Sequence, residues 1–483
     1  MSRGYSWGGA RGARGTRGSI RASRGFPDRA VTSWKQEEQP LLDPPAPFGE
    51  LLLEMLPEDI SNSSYEPKIT DCRYVASYTW LDGGPPSILI PGRPPAWAPP
   101  ATDRQLEPDK GHFFRDPNAA RYPSYPMQPA VQAVLGFNER FPTHDMDIFT
   151  CASALGNLSR FVRGMDREFR IIVARVGKTV FFIRRENSPS ELIPNVRGYG
   201  HTFPEEYTTW DQDVKKAGSH QRVIQYNFGG LRLLVRFEAD GHFRQSDSDA
   251  AKVLSPQPEP EPEGEGVSLV EAFGSASLGH AVATPTDQKC LHIKHGGEPI
   301  SQEDIFDIKT RSAFDHKTGT IKREIDMTDI TPRLWVSQIP TLIVGFHERG
   351  LFKDIRIQDM REEVSQWEDD NSQQLRQLAS LLHEILEFSR TSVTSLELCR
   401  SESGPLQIRR LADEGLDVLP EDWKSKWIGE SDDANGEDED VHGSPRSIED
   451  RRNPDLWDDD DDAEKDYTAC SAEHCGYCGH CRY

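Results

Sequence analysis

Two short segments combine acidic and basic side chains at the spacing of a β-strand. LRLLVRFEADG places Glu238 and Asp240 two residues apart, and DIFDIKT does the same for Asp307 and Lys309. Because alternate side chains of a strand point to one face, each pair is predicted to share a face. Carboxylates are preferred ligands of Mg²⁺ or Mn²⁺, and the bound ion polarises a phosphoryl group and activates water. The spacing therefore indicates metal-dependent cleavage of phosphodiester or pyrophosphate bonds, although such triplets also occur on solvated strand faces.

Four segments in a fixed order make the hypothesis more specific. They are GHTFPEEY at 200–207, FEAD at 237–240, DIKT at 307–310 and LWVSQIPTLIVGF at 334–346. Together they resemble the motifs of the decapping nucleases, the DXO-like enzymes of RNA 5′-end quality control in the PD-(D/E)XK nuclease superfamily. The resemblance covers residues 140–245 and 300–390 and rests on the ordered set of motifs.

The resemblance implies a role for each matching residue, and the metal ion would be Mg²⁺ or Mn²⁺. The implied catalytic residues are Lys309, Glu238 and Gln338, and the implied metal ligands are Glu205, Asp240 and Asp307. In the segment GHTFPEEY, Glu206 is a second candidate for the role of Glu205, because Pro204 is an extra residue in that motif.

The sequence departs from the motifs of the family at two places. Asp307 stands where the family has the longer glutamate, and Ala152 stands where it has an arginine that holds substrate phosphate. Arg160 and Arg163 lie close to Ala152 in the sequence and are the candidates to bind substrate in its place. The departures keep a second hypothesis open, which is a catalytically weakened protein that binds RNA ends or a partner on the same fold.

The resemblance predicts a metal-dependent hydrolase acting on RNA 5′ ends, as a decapping enzyme or pyrophosphohydrolase with 5′→3′ exoribonuclease action as a further activity. The expected partners are RNA 5′ ends and a protein such as a 5′→3′ exoribonuclease. No run of 18 apolar residues and no charged-then-apolar leader is present, so no membrane role or secretory signal is expected. Nucleus or cytoplasm is favoured over mitochondrion as the location.

Four of the eight cysteines crowd the end of the sequence. Chained C-x₂-C spacing is typical of tetrahedral zinc sites and also of part of an iron–sulfur motif. A second metal site is therefore predicted there, with zinc favoured over an iron–sulfur cluster and an unstructured reactive tail as the alternative. Its ligands would be Cys470, Cys475, Cys478 and Cys481.

Alternating apolar patterns predict the strands that must position these residues. FRIIVARVG and TVFFIRREN form one predicted hairpin, and RVIQYNFGG and LRLLVRFEAD form another, each turning at glycine. SQQLRQLASLLHEILEFSR has leucines at helical spacing and is predicted to be an amphipathic helix. The fold class predicted from these elements is α+β, with a mixed β-sheet core flanked by helices.

Composition divides the chain into regions around this core. Residues 1–65 are predicted to be a disordered Arg/Gly-rich arm and lead-in, and residues 66–428 a nuclease-like domain. The Pro/Glu-rich stretch at about 245–300 is predicted to be a disordered insertion. An acidic tail over 429–466 and the Cys-rich tail over 467–483 complete the chain. Since the net charge is −23, nucleic acid must be bound by a local basic lining.

Overall fold

The computed structural model describes residues 45–193, 196, 198–244, 290–315, 320–321, 323–412 and 417–429. The predicted Arg/Gly arm, most of the predicted insertion and both predicted tails lie outside these residues. The strands are β1 Leu51–Met55, β2 Thr70–Leu81, β3 Ser87–Gly92, β4 Ala96–Trp97, β5 Ile148–Cys151, β6 Phe169–Val176, β7 Thr179–Arg185, β8 Thr208–Thr209, β9 Ala217–Phe228, β10 Leu231–Glu238, β11 Gly241–His242, β12 His292–Gly297, β13 Ile305–Ser312, β14 Phe314–Asp315, β15 Thr320–Ile321, β16 Thr341–Glu348, β17 Leu351–Asp359, β18 Leu396–Arg400 and β19 Leu406–Arg410.

Helices of very different length connect and cover these strands. None of the helices described is long and apolar enough to cross a membrane. The α-helices are α1 Pro117–Arg121, α2 Gln128–Phe137, α3 Ala152–Val162, α4 Thr202–Tyr207, α5 Ile330–Ser337, α6 Arg361–Asp370, α7 Ser372–Thr391 and α8 Glu421–Ile428.

Most strands belong to two large sheets. The first has 11 strands in the order β1-β19-β18-β6-β7-β5-β10-β9-β2-β3-β12, and the second has six in the order β17-β16-β13-β11-β4-β8. Both sheets are mixed: β10 pairs parallel with β5 and antiparallel with β9, and β13 pairs parallel with β16 and antiparallel with β11. The predicted α+β class with a mixed sheet core is confirmed.

The two predicted hairpins and the predicted amphipathic helix are present. The β6–β7 turn contains Gly177, and the β9–β10 turn contains Gly229 and Gly230, all with positive φ angles. Since such angles are unstrained only for glycine, the sequence specifies both turns locally. Helix α7 buries the leucines that gave the helical spacing, and they pack with the apolar face of α3 and strands of the first sheet.

The order of the chain extends beyond two of the predicted boundaries. Strand β1 lies within the region predicted to be a disordered lead-in, but it is ordered because it pairs antiparallel with β19. Strand β12 lies within the region predicted to be a disordered insertion, but it is ordered because it pairs parallel with β3. Both are edge strands of the first sheet whose hydrogen-bond partners are distant in sequence, so their own composition does not reveal them.

One testable consequence concerns His347 of β16, which is 4% exposed and packs against Tyr199 and Phe352. Burial lowers the pKa of His347 from 6.5 to about 4, although Asp109 acts in the opposite direction. Between about pH 4 and pH 6.5, His347 therefore binds a proton in the unfolded chain but not in the folded chain. The free energy of unfolding should fall as the pH falls from 6.5 towards 4.

Through His347, the free energy of unfolding of the unmodified protein should fall by about 2 kcal/mol between roughly pH 7 and pH 5, as measured by urea unfolding. In the variant His347→Gln this part of the fall should be absent. His144→Gln is the matched control, because the side chain of His144 is 67% exposed. An unchanged dependence in the His347 variant would contradict the assignment.

Candidate functional site

The predicted acidic segments meet where the two large sheets adjoin. Strand β10 ends at Glu238 in the first sheet, and the chain enters the second sheet at Gly241 in β11. Because β11 pairs antiparallel with β13, Asp240 and Asp307 come from adjacent backbone segments. Asp240 Oδ2 accepts a hydrogen bond of 2.7 Å from the backbone N–H of Ile308. The structure thus brings together two segments that are far apart in the sequence.

Asp307 is a fully buried carboxylate held by two cations. Its exposed fraction is 0%, and that of Lys309 on the same strand is 1%. The Lys309 ammonium lies 3.1 Å from Asp307 Oδ2, and Nη2 of Arg333 in α5 lies 2.6 Å from Asp307 Oδ1. A buried carboxylate without such partners would be strongly destabilising. We call Asp240, Asp307, Lys309 and Arg333 the acidic cluster.

The two carboxylates of the acidic cluster differ in their affinity for protons. Burial, followed by the negative charge of Asp307, raises the pKa of Asp240 to about 7. Burial alone would also raise the pKa of Asp307, but Arg333 and then Lys309 outweigh it and hold that pKa below its ordinary value. A protonated Asp240 can then donate a hydrogen bond to the ionised Asp307.

Glu238 does not share a strand face with Asp240 as predicted. It is the last residue of β10, whereas Asp240 lies beyond that strand in the crossing to β11. The Glu238 carboxylate accepts a hydrogen bond of 3.0 Å from the side-chain amide of Gln221 in β9. Burial raises its pKa, which the hydrogen bond from Gln221 partly offsets. Strand alternation fails here because the chain changes sheets between the two acids.

Glu205, predicted to be a metal ligand, lies on a separate element. It is exposed on α4, a helix of only six residues. Its neighbour Glu206, the second candidate, pairs with Arg104. Within the described part of the chain, no three His, Cys, Asp or Glu side chains come together as a metal site. The predicted set of three carboxylate ligands is therefore not assembled.

Gln338, predicted to contact substrate or water, ends α5 in a left-handed conformation with φ of 50°. Its side-chain amide donates a hydrogen bond of 2.6 Å to the Trp335 carbonyl of the same helix. The side chain of Gln338 therefore provides a hydrogen-bond donor for one of the last backbone carbonyl groups of α5.

Arg160 and Arg163, predicted to bind substrate, lie together in a cavity of about 20 Å³ beside the acidic cluster. Arg160 is 4% exposed, and its Nε donates a hydrogen bond of 3.2 Å to Asp329 Oδ1. Arg333 lines the same cavity and so connects it with Asp307. We call the space lined by these three arginines and Asp329 the arginine cavity.

Arg163 contributes a buried nitrogen atom to the arginine cavity. Its side chain is 8% exposed, and Nη1 has no hydrogen-bond partner among the described residues. Nη2 donates to the Thr328 carbonyl at 3.2 Å and lies 3.8 Å from Asp329 Oδ1. Burial lowers the pKa of the Arg163 guanidinium more than Asp329 raises it. Among the described residues, Asp329 therefore compensates the cost of burying this charge only in part.

The first turn of α3 also faces the arginine cavity. Ala152 and Ser153 line the cavity, and Cys151 before them makes no side-chain capping hydrogen bond. The backbone N–H groups of a first helical turn lack partners within the helix and favour anions. Ala152, where the decapping nucleases have an arginine, thus lies beside arginines that come from elsewhere in the chain.

Two residues that hold this site together were missing from the prediction. Arg333 and Asp329 join the acidic cluster to the arginine cavity. A signal for Arg333 exists in the sequence, because it is the single charged residue in the segment ITPRLWVS. A charged residue in a buried helix needs a partner of opposite charge, but the sequence does not identify that partner.

The remaining predicted metal site cannot be located in this way. Cys470, Cys475, Cys478 and Cys481 lie outside the described residues, so zinc or iron–sulfur binding there stays a prediction.

Comparison with known proteins gives a family and a fold. Residues 59–396 match the model of a family described as a domain of unknown function, DUF8563. No curated protein matches the sequence.

Similar solved structures include fungal Rai1 proteins. Rai1 of Candida albicans in complex with pU5 and Mn²⁺ is 11% identical, with a TM-score of 0.51 over 79% of this chain and 100% of that chain. Rai1 of Scheffersomyces stipitis in complex with (3′-NADP)⁺ and a calcium ion is 10% identical, with a TM-score of 0.49 over 80% of this chain and 99% of that chain.

The likeness to the Candida albicans protein shows a shared fold, which confirms the resemblance to the decapping nucleases at the level of architecture. The identity of 11% marks a divergent chain. Because the family model spans residues 59–396 and so covers most of the chain, this protein belongs to the DUF8563 family.

Proposed function

We propose that this protein binds the 5′ end of RNA and that the terminal phosphate enters the arginine cavity. The observation that carries the proposal is the buried Nη1 atom of Arg163, which has no hydrogen-bond partner among the described residues. It lies in a chain that is otherwise acidic, with a net charge of −23. Three arginines line the arginine cavity, and they are Arg160, Arg163 and Arg333.

The donor set of the arginine cavity suits a phosphoryl group. Arginine offers several N–H donors in a fixed plane, which matches the oxygens of a phosphate. Among the described residues, Nη1 of Arg163 has no hydrogen-bond partner, and Cys151 makes no side-chain cap at the first turn of α3. That Candida albicans Rai1 was solved with pU5 supports RNA as the class of ligand.

Hydrolysis of RNA 5′ ends is the second candidate function, as decapping or removal of pyrophosphate with 5′→3′ exoribonuclease action. It is favoured by the position of Asp240, whose pKa of about 7 lets it exchange a proton near neutral pH. Lys309 lies on the same cluster and would neutralise charge that develops on the phosphate. A 5′→3′ exoribonuclease as protein partner, and a nuclear or cytoplasmic location, stay predictions.

The binding proposal predicts a preference for phosphorylated ends. Fluorescence anisotropy with two RNAs of the same sequence, one 5′-monophosphorylated and one 5′-hydroxyl, should show tighter binding of the phosphorylated RNA. Arg163→Met should reduce this preference about 10-fold or more, because a hydrogen bond to a charged group contributes about 1.5–3 kcal/mol. Arg410→Met is the matched control, since Arg410 is exposed on β19, next to the edge strand β1 of the first sheet. Equal affinity of the unmodified protein for both RNAs would sink the proposal.

The hydrolysis candidate makes a separate prediction about Asp240. If the chain hydrolyses 5′-triphosphate or capped RNA, Asp240→Asn should abolish product formation, because an amide cannot accept the proton of water at neutral pH. The same variant should retain the preference for phosphorylated ends, since the arginine cavity is intact. Chromatography of the released nucleotide or pyrophosphate measures the product, with reactions run in EDTA and in Mn²⁺. Equal product from the variant and the unmodified protein would contradict a catalytic role for Asp240.

A further inference from the structure

Arg333 lies against the fully buried carboxylate of Asp307 in the acidic cluster. Candida albicans Rai1, which shares the fold, was solved with Mn²⁺. In this chain the Arg333 guanidinium lies 2.6 Å from Asp307, with 7% of its side chain exposed. We propose that Arg333, together with Lys309, takes the place of a divalent cation, and that the acidic cluster does not bind Mg²⁺ or Mn²⁺.

The oxygen atoms of Asp307 are already in contact with cations. Arg333 lies against Oδ1, and Lys309 lies 3.1 Å from Oδ2. A divalent ion bound by this carboxylate would have to displace one of them. The displaced side chain would then be a buried charge without its counter-ion, which is strongly unfavourable.

The charge of Arg333 acts on more than one carboxylate, as a shared ion would. Besides pairing with Asp307, it lowers the proton affinity of Asp240 and of Glu238. Lys309 likewise acts on Asp240 and Asp307. Two positive charges fixed by the fold thus supply the +2 that a divalent ion would bring.

The ligand that would complete a metal site is also absent from the cluster. Within the described residues, no third His, Cys, Asp or Glu side chain joins Asp240 and Asp307 as a metal site. One oxygen of Asp240 accepts a hydrogen bond from the Ile308 backbone. Magnesium and manganese in proteins are bound by several oxygen ligands in near-octahedral geometry, and Asp307 is not free to be one of them while Arg333 and Lys309 contact it.

The position of Arg333 is built into the fold. The residue lies in α5 between buried apolar neighbours such as Leu334 and Trp335. Trp335 Nε1 donates a hydrogen bond of 2.8 Å to Glu368 of α6, and the Trp335 ring packs edge-on against Phe228 of β9. These contacts fix the rotation of α5 and so direct position 333 towards β13.

Thermal unfolding of the full-length protein in EDTA, Mg²⁺ and Mn²⁺ tests the inference without any RNA. An ion that binds the folded state raises Tm as its concentration passes its Kd. The unmodified protein should show the same Tm in all three buffers. Arg333→Met should have a lower Tm in EDTA and regain part of it in Mn²⁺, because the ion can now fill the vacated position. Since RNA is absent, a failure of the RNA-binding proposal leaves this result unaffected.

Two further variants separate a vacated cation position from general damage. Arg333→Lys keeps a positive charge and should remain insensitive to Mn²⁺. Arg333→Met combined with Asp307→Asn removes both charges, so its Tm in EDTA should exceed that of Arg333→Met, and Mn²⁺ should not raise it.

Two outcomes would overturn the inference. One is a saturable rise in Tm of the unmodified protein with Mn²⁺ that Asp307→Asn abolishes. The other is an Arg333→Met protein that is destabilised and gains nothing from Mn²⁺. If Arg333→Met does not fold in EDTA, calorimetric titration of Mn²⁺ into the unmodified and Arg333→Lys proteins decides, with heat of specific binding to either counting against the inference.

Discussion

The negative charge of Asp307 is the constraint on which the rest of the site depends. A carboxylate that is 0% exposed on a central strand must be balanced by positive charge, or it becomes protonated or destabilises the fold. Lys309 provides one charge from the same strand, and Arg333 provides another from α5. Because Arg333 also lines the arginine cavity, the ion pair at Asp307 positions one of the guanidinium groups of that cavity.

The chain passes from the first sheet to the second between β10 and β11, and we call this place, where β11 pairs with β13, the seam. Its close packing depends on a glycine. Gly241 begins β11, and a Cβ atom added there would lie 2.3 Å from the Phe306 ring. The close approach lets β11 pair with β13 and leaves Asp240 beside Asp307. An aromatic cluster that includes Phe306, Phe203 and Phe352 packs behind this seam. The acidic cluster therefore lies on backbone that is fixed by packing on one side and by strand pairing on the other.

The sequence predicts those features that local rules control. Glycine turns and strand alternation identify both hairpins, and the leucine spacing identifies α7. The pair Asp307 and Lys309 follows from alternation on one strand, because both residues lie within β13. Glu238 and Asp240 escape the same rule because the chain leaves one sheet for the other between them.

Features that depend on tertiary packing are beyond such rules. The contact of Arg333 with Asp307 requires α5 to pack against β9 and β10 of the first sheet in one rotation, which no spacing encodes. Glu205 lies on a helix of six residues, and the orientation of so short a helix is likewise set by what it packs against. Strand β12 has no strong strand signal of its own and is ordered by pairing with β3. The sequence thus identifies which residues can do chemistry better than which residues meet.

A protein with a negative net charge can bind a polyanion only through a local group of positive charges. The net charge of −23 repels RNA at long range, so attraction has to come from short distances. The arginine cavity meets this requirement, because its arginines are buried and salt screens buried charges less than exposed ones. Affinity that arises there depends on the terminal phosphate more than on the length of the chain behind it. Under the binding proposal, an end phosphate would be the counter-ion of Arg163, because burial makes its charge costly to hold in the free protein.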